Sequence, residues 1–273
     1  MSEAAALLEV AAEAARMAGG LLAERARHGA EREVVAKSTP TDLVSEADIA
    51  SQRAIRELLD RARPEDGFVG EEGGGSKPSA SGLSWVVDPL DGTVNFIFGI
   101  PQWSVSVAVR DELGVLAGVV YDPNRNELFG ALRDGPAWLR GPHGESELRG
   151  PARVPGGGRG ADGLADKMIA TGLSYDADVR GAQAKVLERL VSRVRDIRRF
   201  GSAALDLTWT AAGRYDAYFE RAVKQWDIAA GALICERAGL RVLELPVHER
   251  LPWGILAAPP ALAEPLLELV GGP

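Results

Sequence analysis

One cysteine, Cys235, stands in 273 residues, so neither an intramolecular disulfide framework nor a CxxC-type zinc site can form. Histidine is nearly as scarce. His28, His143 and His248 are scattered without ligand spacing, which argues against a zinc enzyme or a His-based hydrolase and reads all three as surface or loop residues. Positive charge is also short: 31 Lys and Arg against 39 Asp and Glu leave a net charge of −8, the wrong sign for gripping nucleic acid through its phosphates. An acidic chain that takes an anionic substrate needs local cations, and that points to metal. Long apolar runs are missing as well. The opening MSEAAALLEVAAEAARMAGG is interrupted by Glu3, Glu9, Glu13 and Arg16 and does not read as a signal peptide. Near the other end, ILAAPPALAEPLLELV is broken by Pro259, Pro260, Glu264 and Pro265 and is too short to span a bilayer. No internal repeat is visible. These absences lead us to expect a cytoplasmic protein with no nucleic-acid or membrane partner.

What remains is an ordinary globular composition, 46% hydrophobic and 26% charged, enough for a sizeable core in one large domain or two smaller ones. Residues 3–27 carry Leu7, Leu8, Ala11, Ala15, Ala18, Leu21 and Leu22 at helical spacing, and an Ala-rich face permits close packing on another element. A short strand is expected at Val34–Ala36 and a second helix over 46–62, with Ile49, Ile55, Leu58 and Leu59 inward. Ser45 and Asp48 ahead of that helix resemble a capping box, so capping is one role for Asp48. Strands follow over 66–70, 103–109, 114–121 and 127–132, the last two joined by the turn Asp122–Arg125, a run of antiparallel hairpins. Residues 141–166 are the loosest stretch, rich in Gly, Pro and charge, and we place a boundary there between domains 1–145 and 146–273. Beyond it, strands (167–171, 195–199, 215–219, 240–245, 253–258) alternate with helices (181–194, 202–212, 226–238, 260–270), as in a layered α/β unit.

The chemistry concentrates in WVVDPLDGTVNF, residues 85–96. Within a continuing strand Asp88 and Asp91 would point to opposite faces. Pro89 favours ending the strand there, and in a turn residues three apart become neighbours. Two carboxylates so close repel each other unless protonated or bridged by a cation. Asp227, which opens an almost wholly apolar helix, suits either first-turn capping or a third carboxylate delivered from the second half. Glu71 is the natural fourth acid, although Glu71-Glu72 before Gly73–Gly75 also suits a solvated loop. Oxygen donors without histidine or thiolate select hard cations, Mg²⁺ first and Mn²⁺ second. Gly92-Thr93 could offer free amides to a phosphate, and Gly201-Ser202-Ala203 begins a helix in a similar way, with plain capping by Ser202 as its other role. Acids that gather cations beside such amides point to metal-assisted hydrolysis of a phosphate ester.

WVVDPLDGTVNF closely resembles the first signature of the inositol monophosphatase family, and WDIAAGALICERAG resembles its second. VAKSTPTDLVSEAD, the GEE at 70–72 and GSAALDL with GRYDAYFE resemble further family segments, in the family's order over nearly the whole chain. The resemblance implies a five-layered α/β/α/β/α sandwich, α+β in its first half and α/β in its second, usually a homodimer and inhibited by Li⁺. It implies two or three Mg²⁺ ions held by Glu71, Asp88, the Leu90 carbonyl, Asp91 and Asp227. Thr93 beside Glu71 would orient a metal-activated water for in-line attack on phosphorus, and Asp48 would hydrogen-bond that threonine. The Gly92 and Thr93 amides would hold the phosphate, while Gly201, Ser202, Ala203 and Glu220 would line the substrate alcohol.

The implied activity is a phosphomonoesterase, with inositol 1-phosphate as the default substrate. Relatives hydrolyse fructose 1,6-bisphosphate, histidinol phosphate or 3′-phosphoadenosine 5′-phosphate. Glu220 would suit sugar hydroxyls, whereas Lys224 or Arg221 would suit a second phosphate. A non-catalytic metal or sugar-phosphate binding module is the reading from another class, and the intact acids and Thr93 oppose it. In haloacid-dehalogenase-type phosphatases the paired acids stand two apart, whereas Asp88 and Asp91 stand three apart. The chain departs from the family at Ala238-Gly239-Leu240, in a short 246–254 segment and in the Gly-rich 141–166 stretch, none of which includes a proposed ligand.

Overall fold

A computed structural model describes residues 2–28, 34–36, 43–72, 76–151 and 163–272. Residues 37–42 of VAKSTPTDLVSEAD, Gly73–Gly75 and residues 152–162 of the Gly-rich stretch lie outside the described residues.

Helix α1 (Glu3–Arg27) starts where the Ser2 hydroxyl accepts the Ala5 amide at 3.2 Å. Its alanine stripe, Ala11, Ala14, Ala15 and Ala18 with Leu7, Leu8 and Leu22, is buried. Strands β1 (Val34–Ala36) and β2 (Leu43–Ser45) form a small antiparallel pair leading into α2 (Glu46–Ala62). Ala47, Ile55, Leu58 and Leu59 of α2 are buried, but Ile49, expected inward, is 55% exposed. At 100° per residue it falls about 100° from the centre of the stripe that Ile55 and Leu59 share, so the helical period itself places it outside the buried face.

Seven strands follow in one sheet: β3 (Gly67–Gly70), β4 (Ser84–Asp91), β5 (Ser104–Asp111), β6 (Gly114–Asp122), β7 (Glu127–Leu132), β8 (Trp138–Gly141) and β9 (Gly144–Glu147). They neighbour one another in chain order, with β3 parallel to β4 and every later pair antiparallel. The β8–β9 hairpin runs into the stretch read as loose, where Gly and charge concealed its two-residue turn and β9. A short helix α3 (Thr93–Ile97) separates β4 from β5.

The second half supplies β10 (Met168–Thr171), α4 (Ala177–Val191), β11 (Asp196–Arg198), α5 (Ala203–Ala211), β12 (Ala217–Arg221), α6 (Gln225–Arg237), β13 (Arg241–Leu245), β14 (Gly254–Ala258) and α7 (Pro260–Val270). Its strands form a five-stranded mixed sheet in the order β11-β10-β12-β14-β13. Helix α4 begins four residues before the position expected from periodicity, because Asp176 Oδ1 accepts the amides of Asp178 and Val179 at 2.8 and 3.0 Å.

The layers follow from which faces are apolar. Helices α1 and α2 cover one face of the seven-stranded sheet, α5 and α6 lie between the sheets, and α4 and α7 close the outer face of the five-stranded sheet. The result is the α/β/α/β/α sandwich. Strand β5 shows how both faces of the first sheet come to be dry. Val105, Val107 and Val109 join the α1–α2 core, while Ala108 joins the core beneath α5 and α6.

Candidate active site

The site begins with an irregularity in β4. Asp88 pairs with Ser106 of β5 and Asp91 pairs with Ser104, so three steps along β4 match two along β5. This is a one-residue bulge. Our expectation that Pro89 ends the strand is therefore corrected. The strand runs on to Asp91, and the bulge, not a turn, brings the acids together. The extra residue reverses the alternation, so Asp88 and Asp91, opposite Ser106 and Ser104, share the face turned towards α5 and α6. Pro89 fits because a bulge leaves its position without a ladder amide to donate.

Helix α2 braces this bulge from behind. The Ser51 hydroxyl donates to the Pro89 carbonyl at 2.7 Å. Gln52 makes a reciprocal pair with the backbone of Glu72, donating to its carbonyl at 2.7 Å and accepting its amide at 2.9 Å. Glu71-Glu72 is thus tied down, with Glu72 buried, and does not form the freely solvated loop that adjacent acids suggested. Asp48 serves two partners at once. Its Oδ2 accepts the Ser45 amide and hydroxyl, completing the capping box, while its Oδ1 lies 2.7 Å from the Thr93 hydroxyl. Thr93 Oγ1 also lies 3.0 Å from the Leu90 carbonyl, so its single proton is directed inward and its lone pairs outward.

Asp91 is held from the second half. Its carboxylate accepts the Ala203 and Ala204 amides at 3.1 and 2.9 Å, the Ser104 hydroxyl at 3.2 Å and the Ser202 hydroxyl. The anion at the start of α5 is therefore Asp91 itself, and Ser202 gives its proton to Asp91 in place of capping its own helix. Asp227 sits in the first turn of α6 and accepts the Lys224 amide at 2.7 Å. Helix α6 is pinned near this point by the Ser106 hydroxyl, which donates to the Trp226 carbonyl at 3.4 Å.

These elements wall a cleft of about 560 Å³ lined by Glu71, Asp88, Leu90, Asp91, Gly92, Thr93, Gly201, Ala203, Glu220 and Asp227. Asp48 and Ser202 do not line it; both stand behind its wall, on Thr93 and Asp91. Its electrostatics are those of crowded acids. Burial, then the charges of Glu71, Asp91 and Asp227, holds Asp88 well above the usual carboxylate range. Burial pushes Asp91 up to about 6 against its hydrogen-bond donors, and burial likewise raises Asp227 well above its ordinary value. Among the described residues no three such side chains close into a finished metal cage, as expected of acids that repel across a cleft. An all-oxygen donor set in which Glu71, Asp91 and Asp227 together raise Asp88 fits a hard divalent cation.

At the far end of the cleft, Glu220 Oε2 accepts the Tyr218 hydroxyl at 2.8 Å, and burial pushes Glu220 up to about 7. Arg221 also lines this cleft. The residue is 2% exposed, and its two terminal nitrogens donate to backbone carbonyls, Pro246 and Pro252 at 2.9 and 2.8 Å and Val270 and Gly271 at 3.2 and 2.6 Å, while Nε has no partner among the described residues. Lys224 remains exposed at the rim. Our reading of the sequence missed Ser51, Gln52 and Ser104, whose hydrogen bonds join segments far apart in the chain, and it missed Tyr175 and Arg199, which line the same cleft.

Residues 3–270 match the inositol monophosphatase family. The chain belongs to that family. It is 41% identical over 268 residues to the inositol-1-monophosphatase SuhB of Mycobacterium tuberculosis, covering 94% of this chain and 89% of that protein. It is 38% identical over 267 residues to a Nus factor SuhB of Pasteurella multocida, covering 97% and 95%. The crystal structure of the extragenic suppressor protein SuhB from Bartonella henselae superposes with a TM-score of 0.85 at 33% identity, covering 97% of this chain and 98% of that one. The protein is thus a phosphoric monoester hydrolase of a generally metal-dependent family that acts on small phosphate substrates. No helix among the described residues is long and apolar enough to cross a membrane.

Proposed function

We propose that the protein is a Mg²⁺-dependent phosphomonoesterase acting on a small polyol phosphate, with inositol 1-phosphate as its substrate and direct attack by water as its chemistry. The observation that carries this reading is the convergence of Glu71, Asp88, Asp91 and Asp227, from both sheets' elements, on the one cleft that also holds Thr93. In this reading domains 1–145 and 146–273 each contribute to the site. Glu71, Asp88, the Leu90 carbonyl, Asp91 and Asp227 hold two or three ions, with Mn²⁺ as a substitute. Bound there, the cation supplies acidified water and neutralises charge on the leaving oxygen.

The protein's own residues do the rest. Thr93 donates its proton inward, so its outward lone pairs accept a hydrogen from the attacking water and fix its approach. Asp48, buried and anchored on Ser45, keeps Thr93 in that orientation. Gly92 and Thr93 amides receive the phosphate, and Glu220 with Gly201 and Ala203 receives the alcohol, while Ser202 supports the site from behind through Asp91. The engagement of Arg221 with carbonyls favours a polyol over a bisphosphate. Family membership supports a homodimer and sensitivity to Li⁺, and Cys235, a buried free thiol, suits a reducing cytoplasm.

The test is phosphate release by purified protein from inositol 1-phosphate, fructose 1,6-bisphosphate, histidinol phosphate and 3′-phosphoadenosine 5′-phosphate, with Mg²⁺ or with chelator. Release from inositol 1-phosphate that depends on Mg²⁺ and exceeds the others is expected. No release from any would return the protein to a binding role.

A further inference from the structure

Arg199 stands in the cleft wall with Tyr175, Gly201 and Glu220, and its charge acts on both Tyr175 and Glu220. Among the described residues its guanidinium makes no hydrogen bond or ion pair, unlike Arg198 beside it, which pairs with Asp196. Its place depends on Gly201. That residue has φ +80°, and a Cβ on it would lie 2.8 Å from Arg199 Nη1, so the missing side chain is what lets the guanidinium fold back over the turn. Glu220 is admitted in the same manner, since a Cβ on Gly172 would overlap its carboxylate, at 2.0 Å from Oε1. Two glycines thus make room at one end of the cleft for an acid and a base.

The charges there decide what they can read. Glu220 has one oxygen on Tyr218 and the other uncommitted, while Arg199 keeps five N–H donors. A second phosphate beside Arg199 would meet Glu220 and Asp91, both of which act electrostatically at this end of the cleft. Adjacent hydroxyls meet no such penalty, because one can donate to a carboxylate while its neighbour accepts from a guanidinium. We propose that Arg199 is a specificity-determining residue that donates to a substrate hydroxyl next to the one bound by Glu220, so that this end of the cleft reads a vicinal diol. The inference rests on the polyol-phosphatase reading above and extends it.

Steady-state kinetics of the full-length protein and of Arg199→Ala, Arg199→Lys and Arg199→Gln with Mg²⁺ test it, using inositol 1-phosphate, its analogue that lacks the hydroxyl assigned to Arg199 (found by testing the singly deoxygenated inositol 1-phosphates), fructose 1,6-bisphosphate and 4-nitrophenyl phosphate. Arg199→Ala is expected to raise KM for inositol 1-phosphate by about ten- to hundredfold, with kcat changed little, as for loss of a hydrogen bond to a charged group. The rise should be largely absent with the deoxy analogue and with 4-nitrophenyl phosphate, and Arg199→Gln should recover part of it. An equal loss on all esters, or none on any, overturns the proposal. A loss confined to fructose 1,6-bisphosphate also overturns it, by assigning the guanidinium to a second phosphate. The two readings fail separately. Wild-type protein that cleaves no ester removes the phosphatase reading, whereas wild-type cleavage of inositol 1-phosphate with no selective effect at Arg199 removes only this one.

Discussion

Asp91 caps a helix to which it does not belong: its carboxylate, at the end of β4, accepts the Ala204 amide of α5 at 2.9 Å. With Ser202, Ser104 and the Ala203 amide it has four donors in all, so one side chain joins the two halves and carries negative charge into the cleft. Asp91→Asn therefore acts twice. An amide keeps one acceptor but turns an NH₂ towards a donor, leaving a buried group unpaired at about 1–3 kcal/mol. We expect turnover to fall by at least about a hundredfold and Tm by roughly 2–8 °C, read from kinetics and a thermal melt of the same sample. A fully stable but inactive variant would mean that the helix contact carries no load.

Thr93 and Asp48 behave as one unit. Thr93→Val keeps the shape and removes the hydroxyl, and Asp48→Asn turns the acceptor of its proton into a possible donor. Each is expected to lower kcat by about 10²–10⁴-fold, with Mg²⁺ binding by calorimetry nearly unchanged. The double variant should lose little more than either single one, since each already breaks the same chain. Additive losses would place the two residues in separate steps.

The sequence motifs and the fold met at different depths. Most elements were legible because apolar spacing and caps are local signals, as the Ser45–Asp48 box and the alternation of β5 show. The acids were legible because buried carboxylates in an apolar strand are costly without a partner. The reason Asp88 and Asp91 face one way was not, because the bulge is set by pairing with Ser104 and Ser106 rather than by anything within WVVDPLDGT. Nor was the anion at α5 legible. Gly201–Ala203 has the pattern of an anion site, but that the anion is Asp91, 112 residues before Ala203, is a tertiary fact. Ile49 marks a different failure, an apolar residue read as inward although the helical period sets it off the buried face.

Ala222 is a non-glycine residue at φ +67° between Arg221 and the turn into α6, and its amide donates to the Trp253 carbonyl at 2.9 Å. Arg221, fastened to carbonyls on the preceding side, holds the backbone in this left-handed conformation. An alanine there costs about 1 kcal/mol relative to glycine, less the entropy that glycine loses on folding. Ala222→Gly is accordingly expected to leave stability unchanged or raise it by up to about 1 kcal/mol in a denaturant melt. A clear loss of stability would show that the methyl group packs usefully in the cleft wall.

Cation binding and pH are linked through the same acids. Burial raises Asp91 to about 6 and holds Asp88 and Asp227 well above the usual carboxylate range, so each binds its proton more tightly folded than unfolded. The metal-free fold therefore gains stability as pH falls from above the folded values towards the unfolded one of 3.8, and loses it as pH rises. A divalent cation reverses that penalty, because it binds the charged form and displaces protons. The Tm increment given by Mg²⁺ over chelator should thus be larger near about pH 8 than near about pH 5, and calorimetry in buffers of different ionisation enthalpy should show proton release on binding at the lower pH. An increment that is flat across this range would mean that Asp88, Asp91 and Asp227 are already ionised in the metal-free cleft, and that something other than a cation balances them.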